Sequence, residues 1–503
     1  MKYSRPVVFA LFLGGLACQA QPANPNDQID QLRQQLRQMQ DNFERVQREQ
    51  REQIDALTKK LDELTRSPGP AAAPASQPKS AGQKKLEDQL AAELGSASNA
   101  PPAAAAPAAL APPGWTPSQP ITVMRAGSAY MNISFDTLMD AGYSTASDPS
   151  ARLELGDHDP IKNGFSLRNA EIAVDGAVDP YLKGFGNIVL KLDKNNNTDI
   201  ELEESYLMTT ELPGNLQLKA GQFFAAFGRQ NAQHPHTWAF VDAPIILLRA
   251  FGPDGLRSIG TQLSWLAPTP FFTEVTLGIL DGQGGTAFSF RNPGDPDSLG
   301  TNRFHGRATL DGHLEGPQDL VYVPRIASSF DLSDTQVLVA GLSGAFGPNE
   351  TGPHNRTEVY GTDLYWKWKS PHANEGFPFV SVQTEALLER FGANADPTAP
   401  GGGLPGENLL DYGFYSQVLW GFRPHWVAGF RGELATGNSS AYDPLDPWRG
   451  ERYRFSPVLT WYPSEFSKIR LQYNYDHGQY FGADHSIWMQ MEFLLGAHGA
   501  HKF

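Results

Sequence analysis

The sequence predicts an all-β transmembrane barrel of about 16 antiparallel strands, preceded by an N-terminal α-helical coiled coil. Three observations support this prediction: an export-type N-terminus, a heptad-like apolar seam before residue 66, and short segments of alternating apolar and polar residues after residue 120. The longest apolar run, residues 7–17, is shorter than the ~20 residues of a membrane-spanning helix. If the chain crosses a membrane, we expect strands to cross it.

The composition limits the partners and the chemistry. The 503 residues include 40 Lys and Arg against 55 Asp and Glu, a formal net charge of −15, which disfavours nucleic acid as a partner. The chain has one cysteine, Cys18, and if it leaves with an export signal then disulfides, Cys-zinc sites and Cys nucleophiles are excluded. No Ser/His/Asp pattern or phosphate-binding loop stands out, so we expect no enzyme and no cofactor.

Residues 1–20 have the layout of a secretory signal peptide. Lys2 and Arg5 precede the apolar run, and Cys18 and Ala20 provide small residues before a cleavage after Ala20. Acylation of Cys18, as in a lipoprotein, is the alternative. Both alternatives predict an exported protein.

Residues 27–66 predict a periplasmic coiled coil. The apolar positions recur three and four residues apart, with one four-residue stutter near Gln50, at Ile29, Leu32, Leu36, Met39, Phe43, Val46, Ile54, Leu57, Leu61 and Leu64. About 40 helical residues would form a rod of roughly 60 Å. One such stripe cannot bury itself, so we expect self-association as a dimer or trimer. Residues 67–120, rich in Ala and Pro, predict an extended linker.

Residues 121–503 predict the barrel, since one face of each segment is apolar and the other polar. The apolar set includes Ile469, Leu471, Tyr473 and Tyr475, which alternate with Arg470, Gln472, Asn474 and Asp476. A second segment places Ile200, Leu202, Tyr206 and Met208 on the lipid face, against Glu201, Glu203 and Ser205 on the other. We interpret the apolar face as lipid-facing and the polar face as lumen-facing.

The connections predict the strand number. Tight turns are expected near residues 179–180, 213–214, 268–270, 332–333, 371–372, 424–425 and 463–464, with longer connections between them. Seven turns and eight loops give sixteen strands, with both chain ends in the periplasm of a Gram-negative-type bacterium. Residues 281–319 are interpreted as one long loop; a strand at residues 304–310 would favour eighteen. The final Phe503 is the aromatic end that the outer-membrane assembly machinery is expected to recognise.

Two segments resemble known families. Residues 164–171, Gly-Phe-Ser-Leu-Arg-Asn-Ala-Glu, followed by the Asp179-Pro180 turn, resemble the early hairpin of the phosphate-selective porin family, although Asn169 stands where that family often has a second Arg. Residues 221–266 and 495–503 are more similar to a group described as zinc-regulated outer-membrane receptors. The resemblance covers residues 127–503. It implies an outer-membrane porin fold, a trimeric assembly and a link to zinc supply.

Histidines provide candidate metal ligands. His234 and His236 are one residue apart in a long loop, and neutral imidazoles at such a spacing can coordinate zinc. Asp242 is the nearby carboxylate that we nominate as a third ligand. His498 and His501 form a second candidate pair. Ordinary solvated or interfacial histidines are the alternative, and the 229–257 loop is then expected only to fold inward and narrow the lumen.

Charged residues on the polar face predict the lining of the pore, which sets the selectivity of a barrel. The candidates are Lys191, Lys219, Glu201, Glu203, Lys367, Lys369, Arg431, Arg452, Arg454 and Arg470. Because both signs are present, the preference for anions or cations stays open.

We therefore expect an outer-membrane porin, a homotrimer in the lipid of that membrane, that passes small ions or solutes by passive diffusion, with anions as one candidate class. A zinc-linked uptake receptor and a structural tether acting through the coiled coil are the alternatives. An energised receptor would need a folded plug domain and about 22 strands.

Truncation after Arg66 tests the modular organisation. Because the coiled coil and the barrel are separate units in this interpretation, the shortened protein should still insert as a barrel but should assemble or anchor less well. Heat-modifiable migration and membrane fractionation measure the two properties separately. Complete failure of the truncated barrel to insert would contradict the modular organisation.

Overall fold

The computed structural model describes residues 120–496, except 211, 311 and 313. The predicted signal peptide, the coiled coil, nearly all of the linker and the terminal residues His498, His501 and Phe503 lie outside the described residues. Within the described part, no helix has the length and apolar character needed to cross a bilayer.

The described chain is built mainly of antiparallel strands. The strands that close the barrel are β2 (Ala129–Ser144), β3 (Gly164–Ala177), β4 (Leu182–Leu192), β5 (Thr198–Thr209), β6 (Leu216–Phe224), β7 (Arg257–Leu266), β8 (Phe272–Leu280), β12 (Val321–Ser333), β13 (Gln336–Pro348), β14 (Arg356–Asn374), β15 (Phe377–Ala393), β16 (Glu407–Arg423), β17 (Trp426–Gly437), β18 (Arg452–Ser464), β19 (Ser467–Gly478) and β20 (Gly482–Leu495). The remaining elements are β1 (Ile121–Ala126), β9 (Asp295–Pro296), β10 (Asn302–Phe304), β11 (Arg307–Ala308), the helices α1 (Pro149–Arg152) and α2 (Ile245–Phe251), and three short 3₁₀ turns, Pro235–Thr237, Gly285–Ala287 and Pro317–Asp319.

The sheet closes on itself because β2 pairs with both β3 and β20, and β8 pairs with β12. The prediction of sixteen barrel strands is therefore confirmed. The alternative of eighteen is wrong, since β9, β10 and β11 form a separate small sheet within the β8–β12 connection. β1 adds a hairpin to β2.

Most of the predicted turns lie within a few residues of the observed ones. The turns predicted at 332–333 and 463–464 fall on the last residues of β12 and β18, and the largest displacement is at residues 371–372, which belong to β14, whereas the turn itself is Glu375-Gly376. Both turn residues have positive φ, 52° and 85°, as a two-residue hairpin turn of type I′ requires. Irregular pairing between Lys369 and Asn374 accommodates Pro371, which has no N–H to donate. The expectation of eight long loops is also wrong in part, because residues 193–197 and 479–481 form short connections.

The outer face of the barrel is apolar and exposed. Leu471, near the middle of β19, has 49% of its surface accessible, whereas its neighbours Arg470 and Gln472 are buried inside. The same alternation continues on β20, where Ile487 and Phe493 are exposed beside buried Trp488 and Glu492. Such a face is suited to hydrocarbon rather than water.

Two β-bulges change which side chains face the lumen. In β5, Asn187 pairs with Glu204 and Ile188 with Leu202, so Glu203 is an extra residue and both glutamates point inward. The prediction that Tyr206 and Met208 face lipid is therefore wrong; both are 6% exposed. In β3, Arg168 is the extra residue and is buried together with Asn169. A bulge reverses the side-chain alternation of the residues that follow it.

A charge on the outer face tests its contact with lipid. Leu471→Arg should destabilise the barrel by about 2–4 kcal/mol, the penalty for a cation near the middle of a bilayer. Leu445→Arg is the control, since Leu445 is equally apolar and 67% exposed but lies in the 438–451 connection. Reversible urea unfolding in lipid vesicles measures both. Equal effects of the two substitutions would mean that β19 does not face hydrocarbon.

Candidate functional site: a loop inside the barrel

Residues 225–256, between β6 and β7, form the lumen loop, which lies against the inner wall of the barrel. Its residues contact strands at several places around the wall. His234 lies against β3 and β5, and His236 against β2. Further along, Val241 meets β19, and Asp242 meets β17 and β18. Earlier in the loop, the N–H groups of Gly228 and Gln230 donate to Ser343 (β13) and Glu385 (β15). The loop therefore contacts strands on opposite sides of the barrel.

The last part of the lumen loop is apolar. All seven residues of α2 are buried, and the helix packs against β15, β16 and β17. Ile245, Ala250 and Phe251 belong to one core cluster that also includes Phe290 of the β8–β12 connection. Gly252 ends the helix with a φ of 73°, and a Cβ there would lie 2.8 Å from the side chain of Phe288. This packing excludes water from part of the lumen.

Asp242 anchors the loop to a basic sector of the wall formed by Arg431 (β17), Arg454 (β18) and Arg470 (β19). Its carboxylate accepts a hydrogen bond from Arg431 and lies 3.1 Å from Nη1 of Arg454. Gln472 and Asn474 donate to the same carboxylate at 2.9 and 2.8 Å. Burial opposes ionisation, but Arg454 and Arg431 lower the pKa of Asp242 to about 2. The aspartate is therefore an ionised anchor.

The loop backbone is held by the same sector. The guanidinium of Arg454 donates to the Ala243 carbonyl at 2.6 Å, and that of Arg470 donates to the Trp238 carbonyl. The Ile245 N–H donates to Glu433 at 2.8 Å. Buried backbone groups need such partners when no sheet or helix supplies them. The polar inner face of β17–β19 provides them here.

The two loop histidines lie against an acidic sector formed by Asp136 (β2), Glu171 (β3), and Glu203 and Glu204 (β5). The Nδ1 atom of His234 is 3.0 Å from Glu203 Oε2 and 3.6 Å from Glu171 Oε1, and its Nε2 is 2.9 Å from Glu204 Oε2. Both histidines are almost fully buried. The β5 bulge is what allows one imidazole to meet two consecutive glutamates.

His236 contacts the other side of the acidic sector. Its Nδ1 is 3.0 Å from Asp136 Oδ2 and 3.5 Å from Glu171 Oε2. Burial disfavours the charged imidazole, but Asp136 and Glu171 raise the pKa of His236 to about 10. This imidazole is therefore protonated and paired with the wall. Glu171 lies between the two histidines and contacts both.

Three neighbours complete the sector. Asn187 donates to Glu203 Oε2 at 2.6 Å, and Asn169 donates to Asp136 Oδ1 at 2.8 Å. His158, from the β2–β3 connection, lies 3.3 Å from Glu203 Oε1. The sequence does not mark Asp136, Glu171, Glu204 or His158 as ligands. Two consecutive glutamates, Glu203 and Glu204, are the one feature of the sequence that could have indicated the bulge.

The structure separates the remaining predicted residues into three environments. Arg431, Arg454 and Arg470 lie beneath the lumen loop, and Arg452 is paired with Asp476 at 2.6 Å, so these four are buried rather than facing lumen water. Lys191 is paired with Glu201 at 2.7 Å, and Lys219 is buried with Nζ 4.6 Å from the ring centre of Tyr206. Lys367 and Lys369 are half-buried on the inner face of β14. Asp242 does not join His234 and His236 as nominated, because it belongs to the basic sector.

Comparison with known proteins gives one clear relative. No family model matches the chain. An uncharacterized protein of Aquifex aeolicus (strain VF5) is 30% identical over 360 residues, which cover 68% of this chain and 71% of that protein. Among solved structures, the outer membrane channel DcaP of Acinetobacter baumannii matches with a TM-score of 0.49 and 12% identity, over 74% of this chain and 99% of that one. The anion-selective porin from Comamonas acidovorans matches with a TM-score of 0.45 and 7% identity, over 73% and 100%. The chain belongs to the family of the Aquifex aeolicus protein.

Proposed function

We propose that the protein is an outer-membrane channel of the porin type, through which small ions or solutes diffuse passively beside the lumen loop. The observation that supports this proposal most directly is the closed sixteen-stranded barrel with an apolar outer face and a charged inner one. A soluble barrel would instead place polar residues outside. The loop then acts as the constriction.

The water path in this proposal lies beside Lys367 and Lys369 on the inner face of β14, next to the lumen loop, which contacts β13 at Ser343 and β14 at Tyr365. The inner face of β14 carries Lys367 and Lys369, both half-buried, and the ammonium of Lys367 lies 5.7 Å from the ring centre of Phe379. On β12, the guanidinium of Arg325 is paired with Asp363. Two lysines beside this path favour anions. A preference for small anions is the finer part of the proposal.

We also propose the assembly that the sequence suggests. The N-terminal segment is a cleaved signal, residues 27–66 form a periplasmic coiled coil, and the channel is a trimer inserted by the outer-membrane assembly machinery. The alternating apolar positions of residues 29–64 support self-association.

Charge reversal on β14 tests the path and its selectivity. The double variant K367E/K369E should move the reversal potential in a salt gradient toward cation preference, because the field in the constriction changes sign locally. Lys194→Glu is the matched control: this lysine is exposed in the short β4–β5 connection, 3.7 Å from Asp148. Planar-bilayer recording of the purified protein measures both. A folded wild-type barrel that never conducts would contradict the channel itself; an unchanged reversal potential in the double variant would contradict only the path.

Removing the charge of Asp242 tests the role of the loop. Asp242→Asn removes one of the two carboxylates, Asp242 and Glu433, that Arg431 and Arg454 share, and breaking a buried ion pair typically costs about 3–5 kcal/mol. We expect a lower unfolding temperature and larger or noisier conductance steps. Asp443→Asn is the control, since the Asp443 carboxylate accepts a hydrogen bond from Leu445 N in an exposed connection. Quiet, wild-type conductance in a destabilised D242N channel would show that the loop does not limit the current.

A further inference from the structure

We propose that His234, His236 and the carboxylates of the acidic sector form a binding site for a divalent transition-metal ion of the zinc type, which fastens the lumen loop to the barrel wall. This inference goes beyond the channel function and does not require the barrel to conduct. It rests on the placement of the donor atoms, on the groups that orient them, and on the charge of the sector.

The donor atoms form two sets. Asp136, Glu171 and His236 make one, and Glu171, Glu203 and His234 make the other; within each set, the ligand atoms lie within 4.8 Å of one another and all the residues are buried. The His234–Glu203 and His236–Asp136 separations are both 3.0 Å, and those to Glu171 are 3.6 and 3.5 Å. Zinc bonds of about 2.0–2.1 Å in a tetrahedron place neighbouring ligand atoms about 3.3 Å apart. Small side-chain movements would therefore suffice for coordination.

Glu171 connects the two sets. Its Oε1 faces His234 and its Oε2 faces His236. The two imidazoles are stacked with their ring centres 5.8 Å apart. One ion held by both histidines, or two ions bridged by Glu171, would each use this carboxylate. It is therefore the residue on which binding depends most.

The surrounding groups orient the ligands as they do in metal sites. Metal-bound imidazoles usually donate their second N–H to a carboxylate or carbonyl, which fixes the tautomer. His234 has this arrangement, because Nδ1 faces the donor set while Nε2 contacts Glu204 at 2.9 Å. Asn169 and Asn187 hydrogen-bond to Asp136 and Glu203. These contacts are independent of the donor spacing and support the same conclusion.

The charge of the sector favours a cation. Its four carboxylates are paired with His158, His234 and His236. Four buried carboxylates thus lie together beside three imidazoles. Buried charge of one sign requires compensation. A divalent ion bound among these carboxylates would supply such compensation.

The donor chemistry indicates the type of ion. Mixed imidazole and carboxylate ligands suit zinc and neighbouring transition metals, whereas calcium and magnesium prefer oxygen ligands alone. A nearby set of three carboxylates, Asp157, Glu201 and Asp254, is a weaker candidate. Two of its members are paired with cations already, Asp157 and Glu201 with Lys191 and Glu201 with Arg257. The acidic sector is thus the better site.

Metal binding is tested on the full-length protein, folded in detergent and stripped with a chelator. Zn²⁺ is added for calorimetry and for metal analysis after gel filtration, and Co²⁺ for visible absorption, which reports the coordination directly. We expect retained Zn²⁺ and a tetrahedral-type Co²⁺ spectrum. Glu171→Gln should abolish both, and Glu204→Gln should weaken binding about 10–100-fold, the usual effect of removing a ligand's supporting carboxylate.

Glu385→Gln is the matched control, because Glu385 is also a buried glutamate of the inner wall and accepts from the lumen loop, at Gln230 N. It should bind metal like the wild type. Heat-modifiable migration verifies the folding of each variant; if E171Q does not fold, His236→Gln takes its place. Folded wild-type protein that retains no Zn²⁺, or E171Q and E385Q that bind equally, would overturn the proposal. Because no current is recorded, these outcomes are separate from those that test the channel.

Discussion

The structure depends on pairing the charged side chains that the barrel encloses with groups of opposite charge. A strand that faces lipid outside must place its polar residues inside, and the lumen loop then covers many of them. Each covered charge needs a partner of opposite sign or a hydrogen bond, since burial without one costs several kcal/mol. The loop meets this requirement by sequence order: histidines where the wall is acidic, Asp242 where it is basic. Its position is therefore fixed by charge as well as by the apolar packing of α2.

The two bulged strands show how the wall is adapted to the loop. A regular β5 would direct only one of Glu203 and Glu204 inward, because alternate side chains face opposite sides. The bulge directs both inward, onto one imidazole. In β3, the bulge at Arg168 places its guanidinium 2.8 Å from the Asp157 carbonyl and 2.7 Å from that of Leu192. Bulges are common where a site needs a side chain re-aimed, and here they lie beside the acidic sector.

Periodicity was enough to predict the barrel, its sixteen strands and most of its turns, because alternation and turn residues are local signals. It failed where one residue was added to a strand: Tyr206 and Met208 follow the Glu203 bulge and face inward. The sequence predicted only some residues of the candidate site, for a different reason. His234 and His236 are close in sequence, but Asp136, Glu171 and Glu203 come from three strands that only the closed sheet brings together. Asp242 was misassigned because proximity along the chain does not show which part of the wall a loop residue meets.

The two sectors differ in what they require from outside the chain. In the basic sector, Asp242 and Glu433 are matched by Arg431 and Arg454, whose guanidinium groups hold their charge at any physiological pH. In the acidic sector, the carboxylates form ion pairs with imidazoles, which are cationic only when protonated. The pairing of the loop with β17–β19 is therefore insensitive to physiological pH, whereas its pairing with β2–β5 uses imidazoles, whose charge depends on protonation. If the lumen loop limits the current through the barrel, the pH or ion content of the surrounding solution can change that current through this second attachment.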